Sequence, residues 1–167
     1  MKNILMLFLV LGYLGFAQKR DSNPNAVYEK FSEAYATLDA DILLDCYTDD
    51  AALLNLYDGS NPNSIKTAVK IKDYFAKFFG RFEGSGKKLK LSFKITDRET
   101  IGETVYDNGY YKLSVISNNQ IERTSYGKLS TILKFKDGNW KFVVDSNSNT
   151  DEEEYNKAKV SSIMQPN

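Results

Sequence analysis

Histidine is absent from all 167 residues, which removes the commonest neutral-pH general base and the commonest nitrogen ligand for zinc. Any chemistry near neutrality falls to Asp, Glu, Tyr or Lys. Cys46 is the only cysteine, so an intramolecular disulfide is excluded. It also lies far from the apolar N-terminal run, which argues against lipid attachment, and it reads as a small buried side chain. Neither sign of charge dominates, with 22 basic against 22 acidic residues. Nucleic-acid binding needs clustered Lys and Arg, and Lys87, Lys88 and Lys90 read as the solvated edge of a strand; no nucleic-acid partner is expected. What remains, 42% hydrophobic and 26% charged residues, is the composition of an ordinary globular protein, and the length suits one domain.

The chain has no apolar run long enough to cross a bilayer. Residues 4–17 carry no charge, but 14 residues fall short of the ~20 that a membrane helix needs. Lys2 before the run, and Gly15 and Ala17 at its end, match a cleavable signal peptide over residues 1–17 with a cut before Gln18. The expected product is exported, periplasmic or extracellular, and free of the membrane. Losing Lys2 leaves it with 21 basic and 22 acidic residues.

After Pro24, Val27, Phe31, Ala34, Tyr35 and Leu38 recur at helical spacing. Asp39 and Asp41 are cap candidates for a second, short helix with Ile42, Leu43, Cys46 and Tyr47 on its apolar side. The acidic residues around them lack the spacing, turn glycine and terminal Glu of a calcium loop, so no metal is expected. Residues 51–57 read as a strand, followed by a polar stretch through Ser64. A third helix carries Ile71, Tyr74, Phe75, Phe78, Phe79 and Phe82 in one wide stripe.

From residue 87 the period becomes two: Leu89, Leu91, Phe93 and Ile95 alternate with polar neighbours, predicting a strand with one wet face. Three more strands are predicted over residues 103–117, 121–136 and 139–147, with tight turns at Asn118-Asn119 and Asp137-Gly138. They form an antiparallel meander. The domain spans residues 18–150, and residues 151–167, acidic at the start and without apolar periodicity, are predicted to be a mobile tail.

The order helix, helix, strand, helix and four long strands, together with Tyr47-Thr48-Asp49-Asp50-Ala51, Asp107-Asn108-Gly109-Tyr110-Tyr111, Gly127-Lys128-Leu129 and Lys136-Asp137-Gly138-Asn139-Trp140-Lys141-Phe142, resembles the nuclear transport factor 2-like superfamily. That superfamily includes SnoaL-like and ketosteroid-isomerase-like proteins of cystatin-like fold. The resemblance implies an α+β fold, in which three helices from the N-terminal half pack on a strongly curved, mostly antiparallel sheet. The sheet forms a cone with an internal pocket. It also places Asn55 at the steroid isomerase's general base, Phe31 at its oxyanion tyrosine and Thr131 at its acidic oxyanion partner. Asn cannot take a proton near neutral pH, Phe has no hydroxyl, and Thr is the weaker donor, so that isomerisation is not expected. Where related SnoaL-like sequences often carry histidines, this chain has Val144 and Ser146.

Strict alternation along the last strand puts Trp140, Phe142 and Val144 on one face, and Val143, Asp145 and Asn147 on the other. Hydrophobic accounting favours the first face as core; the resemblance puts the second in the pocket. The candidate pocket residues are Phe31, Tyr35, Tyr47, Asn55, Tyr57, Phe75, Phe79, Tyr111, Thr131, Val143, Asp145 and Asn147. Asp145 is the candidate acid or base, since an apolar cavity would raise its pKa. The leading expectation is a noncatalytic domain that binds a small apolar or aromatic molecule, with no cofactor. One alternative is a cofactor-free lyase, isomerase or hydrolase using Asp145 and the tyrosines. Another is a homodimer formed through the outer sheet face, with a filled cavity.

Overall fold

Val27, Phe31, Ala34 and Tyr35 share one buried face of α1 (Asn25–Thr37), as their spacing requires. The computed structural model describes residues 23–57 and 63–164. The signal-peptide segment with its cleavage point, the Asp58-Gly59 turn and the last three residues lie outside the described residues. Among those described, no helix is long and apolar enough to cross a membrane.

Leu38 ends α1 in the left-handed conformation, with its N–H bonded to Ala34 O. Asp39 then caps α2 (Ala40–Cys46) by accepting from Asp41 N, which satisfies a free N–H of the first turn. Cys46 is buried at the end of this helix, and burial pushes its thiol up to about 12. Tyr47, expected on the apolar side of α2, is instead extended and opens β1 (Tyr47–Asn55). The polar stretch expected to lack regular structure contributes its last two residues to β2 (Asn63–Lys66), which pairs with β1. In α3 (Ala68–Phe79) the buried stripe is narrower than predicted. Ile71, Phe75 and Phe79 are buried, Tyr74 stays exposed, and Phe82 lies past the helix end.

β3 (Lys88–Ile101), β4 (Thr104–Ser117), β5 (Gln120–Lys136) and β6 (Asn139–Thr150) pair antiparallel in succession, the last three forming the predicted meander and β3 extending it. Its turns have positive φ at Asn118 and Asn119 and at Asp137 and Gly138, the geometry two-residue hairpins favour. Leu89, Leu91, Phe93 and Ile95 are all buried, as the alternation of β3 demands.

The tail expectation is corrected. Residues 151–164 contain α4 (Glu152–Lys157), capped by Asp151, and β7 (Ser162–Met164), paired with β3. Tyr155 anchors α4 on the outer face of the sheet, 5.0 Å from the Tyr126 ring and beneath the Lys94 ammonium. A lone aromatic within an acidic run has no period to reveal it.

The sheet has seven strands in the order β2-β1-β6-β5-β4-β3-β7. Only β1 and β6 run parallel. Register shifts interrupt β3–β4, β4–β5, β5–β6 and β1–β6; an extra residue in one strand bends and twists it, and the sheet curls around α1 and α3. Gly109 permits one such bend, because a β-carbon there would lie 2.2 Å from Lys94 O.

Candidate functional site

The bulge in β6 decides which side chains meet. Phe142 pairs with Leu133 and Val144 with Ile132, so Val143 is an extra residue and the alternation skips a step. Phe142, Asp145 and Asn147 therefore face the same cavity, and Val143 does not line it. Both sequence arguments about this strand hold for part of its length: Phe142 is core, and Asp145 is pocket.

The cavity has a volume of about 140 Å³, close to the ~150 Å³ that accommodates one benzene molecule. Its floor is built by register. Leu53 and Asn55 on β1 lie beside Asp145 and Asn147, and Thr131 and Leu129 on β5 flank the same two residues on the other side. Tyr28, Phe31 and Tyr35 of α1 and Tyr74, Phe75 and Phe78 of α3 close over it, with Leu91, Phe93 and Tyr111 completing the wall. The rings contact edge to face, Phe31 lying 5.6 Å from Phe75 and 5.7 Å from Phe142, an arrangement favoured by aromatic quadrupoles.

Nine of the sequence candidates line this cavity: Phe31, Tyr35, Asn55, Tyr57, Phe75, Tyr111, Thr131, Asp145 and Asn147. Phe79 packs behind Tyr35 at 5.1 Å. Tyr47 stands behind the wall and donates its hydroxyl to Asp145 Oδ2 at 2.6 Å.

Asp145 is the one charged residue in the lining. Water reaches it through the mouth, yet protein surrounds the carboxyl closely enough that burial raises its pKa from 3.8 to about 6, against the opposing hydrogen bond from Tyr47. Burial pushes the Tyr35 and Tyr47 hydroxyls well above their ordinary range, so at neutral pH they are donors and not bases. The Tyr57 and Tyr111 hydroxyls hydrogen-bond each other. Asn55 commits its Nδ2 to Asn63 Oδ1, whereas Asn147 Oδ1 is buried with no hydrogen-bond partner among the described residues.

A second polar group beneath the cavity escaped the sequence reading. Arg98 donates to both oxygens of Asp107 at 2.7 Å, and Tyr28 donates to Asp107 Oδ2 at 2.8 Å. Thr131 Oγ1 lies 2.6 Å from the Tyr28 hydroxyl. Tyr28 thus places a hydroxyl one turn before Phe31, with its proton committed to Asp107. The sequence signal was Asp107 sharing the inward face of β4 with Val105; finding its partner needed the cross-strand register that pairs Arg98 with Asp107. Among the described residues no three acidic or thiol side chains converge to hold a metal.

The cone of curled sheet, the helices over its mouth and the cavity between them settle the architecture. The chain has the nuclear transport factor 2-like fold. A nuclear transport factor 2-like protein of unknown function from Shewanella oneidensis MR-1 is 18% identical, with 74% of this chain and 94% of that chain covered and a TM-score of 0.57. A cystatin-like-fold protein from Caulobacter vibrioides is 12% identical, covering 79% and 90%, with a TM-score of 0.58. A third, from Xanthomonas campestris and named for a calcium/calmodulin-dependent protein kinase II association domain, is 22% identical over 76% and 85% of the chains, with a TM-score of 0.57. No family model and no curated protein matches the sequence. Within this nuclear transport factor 2-like fold, Phe31, Asn55 and Thr131 all line the cavity.

Proposed function

We propose that this protein is an exported domain of the SnoaL-like type that binds a small, mostly apolar molecule and does not transform it. The observation that carries the reading is the cavity of about 140 Å³, walled by aromatic rings and polar at Asp145 and Asn147. Pockets that take small ligands combine such apolar walls with a few convergent polar groups. The volume limits the occupant to about one six-membered ring with a small substituent. Crystals soaked with single-ring fragments test this: fragment density between Phe31, Phe75 and Phe142 is expected, and a cavity that stays water-filled or empty across a broad fragment set would refute it. Export rests on residues 1–17; N-terminal sequencing of the protein from a secreting host should begin at Gln18, and retention of Met1 would refute cleavage.

The raised pKa of Asp145 favours a second reading, a cofactor-free lyase, isomerase or hydrolase with Asp145 as general base and Tyr47 as its hydrogen-bonding partner. Turnover abolished in Asp145→Asn, with the fold intact, would select it. Homodimerisation through the outer sheet face is a further reading, favoured by the exposed Tyr106. Tyr155 already covers that face near Tyr110 and Tyr126, and sedimentation of the mature chain would decide.

A further inference from the structure

Among the described residues, no lysine or arginine pairs with the Asp145 carboxylate. Tyr47 is its one hydrogen-bond donor among the described residues, and no Lys or Arg lines the cavity. Tyrosines from α1, β1, the segment after β1, and β4 feel its charge: Tyr35, Tyr47, Tyr57 and Tyr111. Enclosed carboxylates elsewhere in proteins are paired, because an unpaired buried charge is costly. This molecule follows that rule at Asp107, whose two oxygens are held by Arg98, and departs from it at Asp145.

Asn147 sits two residues along the same face of β6, and its Oδ1, closed to solvent, has no hydrogen-bond donor among the described residues. The polar end of the cavity therefore presents the negative charge of Asp145, with no lysine or arginine in its lining to receive an anion. Around it stand ring faces and edges, Phe31, Phe75 and Phe142 among them. Aromatic walls stabilise a desolvated cation through their quadrupoles, and a charge-assisted N–H to carboxylate bond is about twice as strong as a neutral one.

We propose that the cavity takes a small ammonium ion, a primary to quaternary amine carrying one ring or a few carbons, with its cationic nitrogen on Asp145. This rests on the binding reading above and names the ligand class for that site. The ammonium supplies the missing element, a positive charge for the carboxylate. Its hydrocarbon part fills the aromatic end. Carboxylates and phosphates of the same size are excluded by repulsion from Asp145.

Calorimetric titration of the mature protein at pH 8 with benzylamine, tetramethylammonium, benzyl alcohol and benzoate tests the assignment. At least one of the two cations is expected to bind about tenfold or more tightly than benzyl alcohol, with no binding of benzoate. That preference should vanish in Asp145→Asn. It should also fade in the wild type between pH 7 and pH 5, as the carboxylate that faces the cation takes up its proton; this arm needs no variant. Failure of both cations to bind more tightly than benzyl alcohol, or a cation preference that survives in a folded Asp145→Asn, overturns the ammonium assignment and leaves small-molecule binding standing. Absence of heat and of thermal stabilisation with all four probes likewise overturns the assignment, and binding itself falls only if the broad fragment set also leaves the cavity empty.

Discussion

The Tyr47 hydroxyl donates to Asp145 Oδ2 at 2.6 Å across 98 residues of chain, joining the first residue of β1 to the pocket face of β6. It is the bond through which the protein itself tempers the cost of holding a carboxylate away from bulk water.

Replacing Tyr47 with Phe removes that donor while keeping the ring. Hydrogen bonds to charged groups contribute about 1.5–3 kcal/mol, so a loss of that order is expected at pH 8 and a smaller one at pH 4, where Asp145 is protonated. The Asp145 pKa should rise further above about 6. Carboxyl-carbon NMR titration and urea denaturation at the two pH values measure both effects, and an unmoved pKa would contradict the bond.

Substituting Asp145 with Asn should relieve a pH-dependent burden. The folded carboxyl titrates near 6 against an ordinary 3.8, so the folded state binds the proton more tightly than the unfolded chain. The destabilisation from this group is absent below about pH 4 and complete above about pH 6.5. Relative to wild type, the Asn variant should therefore gain stability as pH rises from 4 to 7, by up to about 2–3 kcal/mol. A difference that stays flat across this range would contradict the assignment.

Arg98 and Asp107 form the paired counterexample. Asp107 is only 1% exposed, and Arg98→Ala leaves it unpaired in the interior, at a cost of about 3–5 kcal/mol. Replacing both together, Arg98→Met with Asp107→Leu, should cost less than Arg98→Ala alone, because no buried charge is stranded. Urea midpoints of the two variants give the comparison.

Gly127 faces the ring of Tyr111 across the β4–β5 pair, and a β-carbon there would lie 2.2 Å from the Tyr111 ring. Gly127→Ala must turn Tyr111 out of its place in the cavity wall. A loss of about 1–3 kcal/mol is expected, together with altered fragment binding. In Tyr111→Ala the same glycine substitution should cost little, since the clash is gone; a double-mutant cycle without coupling would show that the two residues do not meet.

Much of the architecture was legible in individual residues. Leu89, Leu91, Phe93 and Ile95 announced their strand because each buried residue sits two from the next. Ile71, Phe75 and Phe79 announced α3 through their helical spacing, and Asp137-Gly138 marked a hairpin because its backbone requires positive φ. The candidate site was legible in part. Asn55, Thr131, Asp145 and Asn147 are among the expected pocket residues and line the cavity, Val143 does not, and Tyr28 and the Arg98–Asp107 pair carry no signal that the sequence reading used.

The sequence alone determined the helical faces, the alternation of the meander, the turns and the lack of histidine, for each follows from residue type and short-range period. Only the tertiary structure decided that Phe142 and Asp145 share a cavity, that Tyr155 docks on the outer face, and that, among the described residues, Asp107 has a cation while Asp145 has none. A side chain's direction in a strand depends on every bulge before it, and its partners depend on a register set by distant strands. Neither quantity is carried by any local stretch of residues.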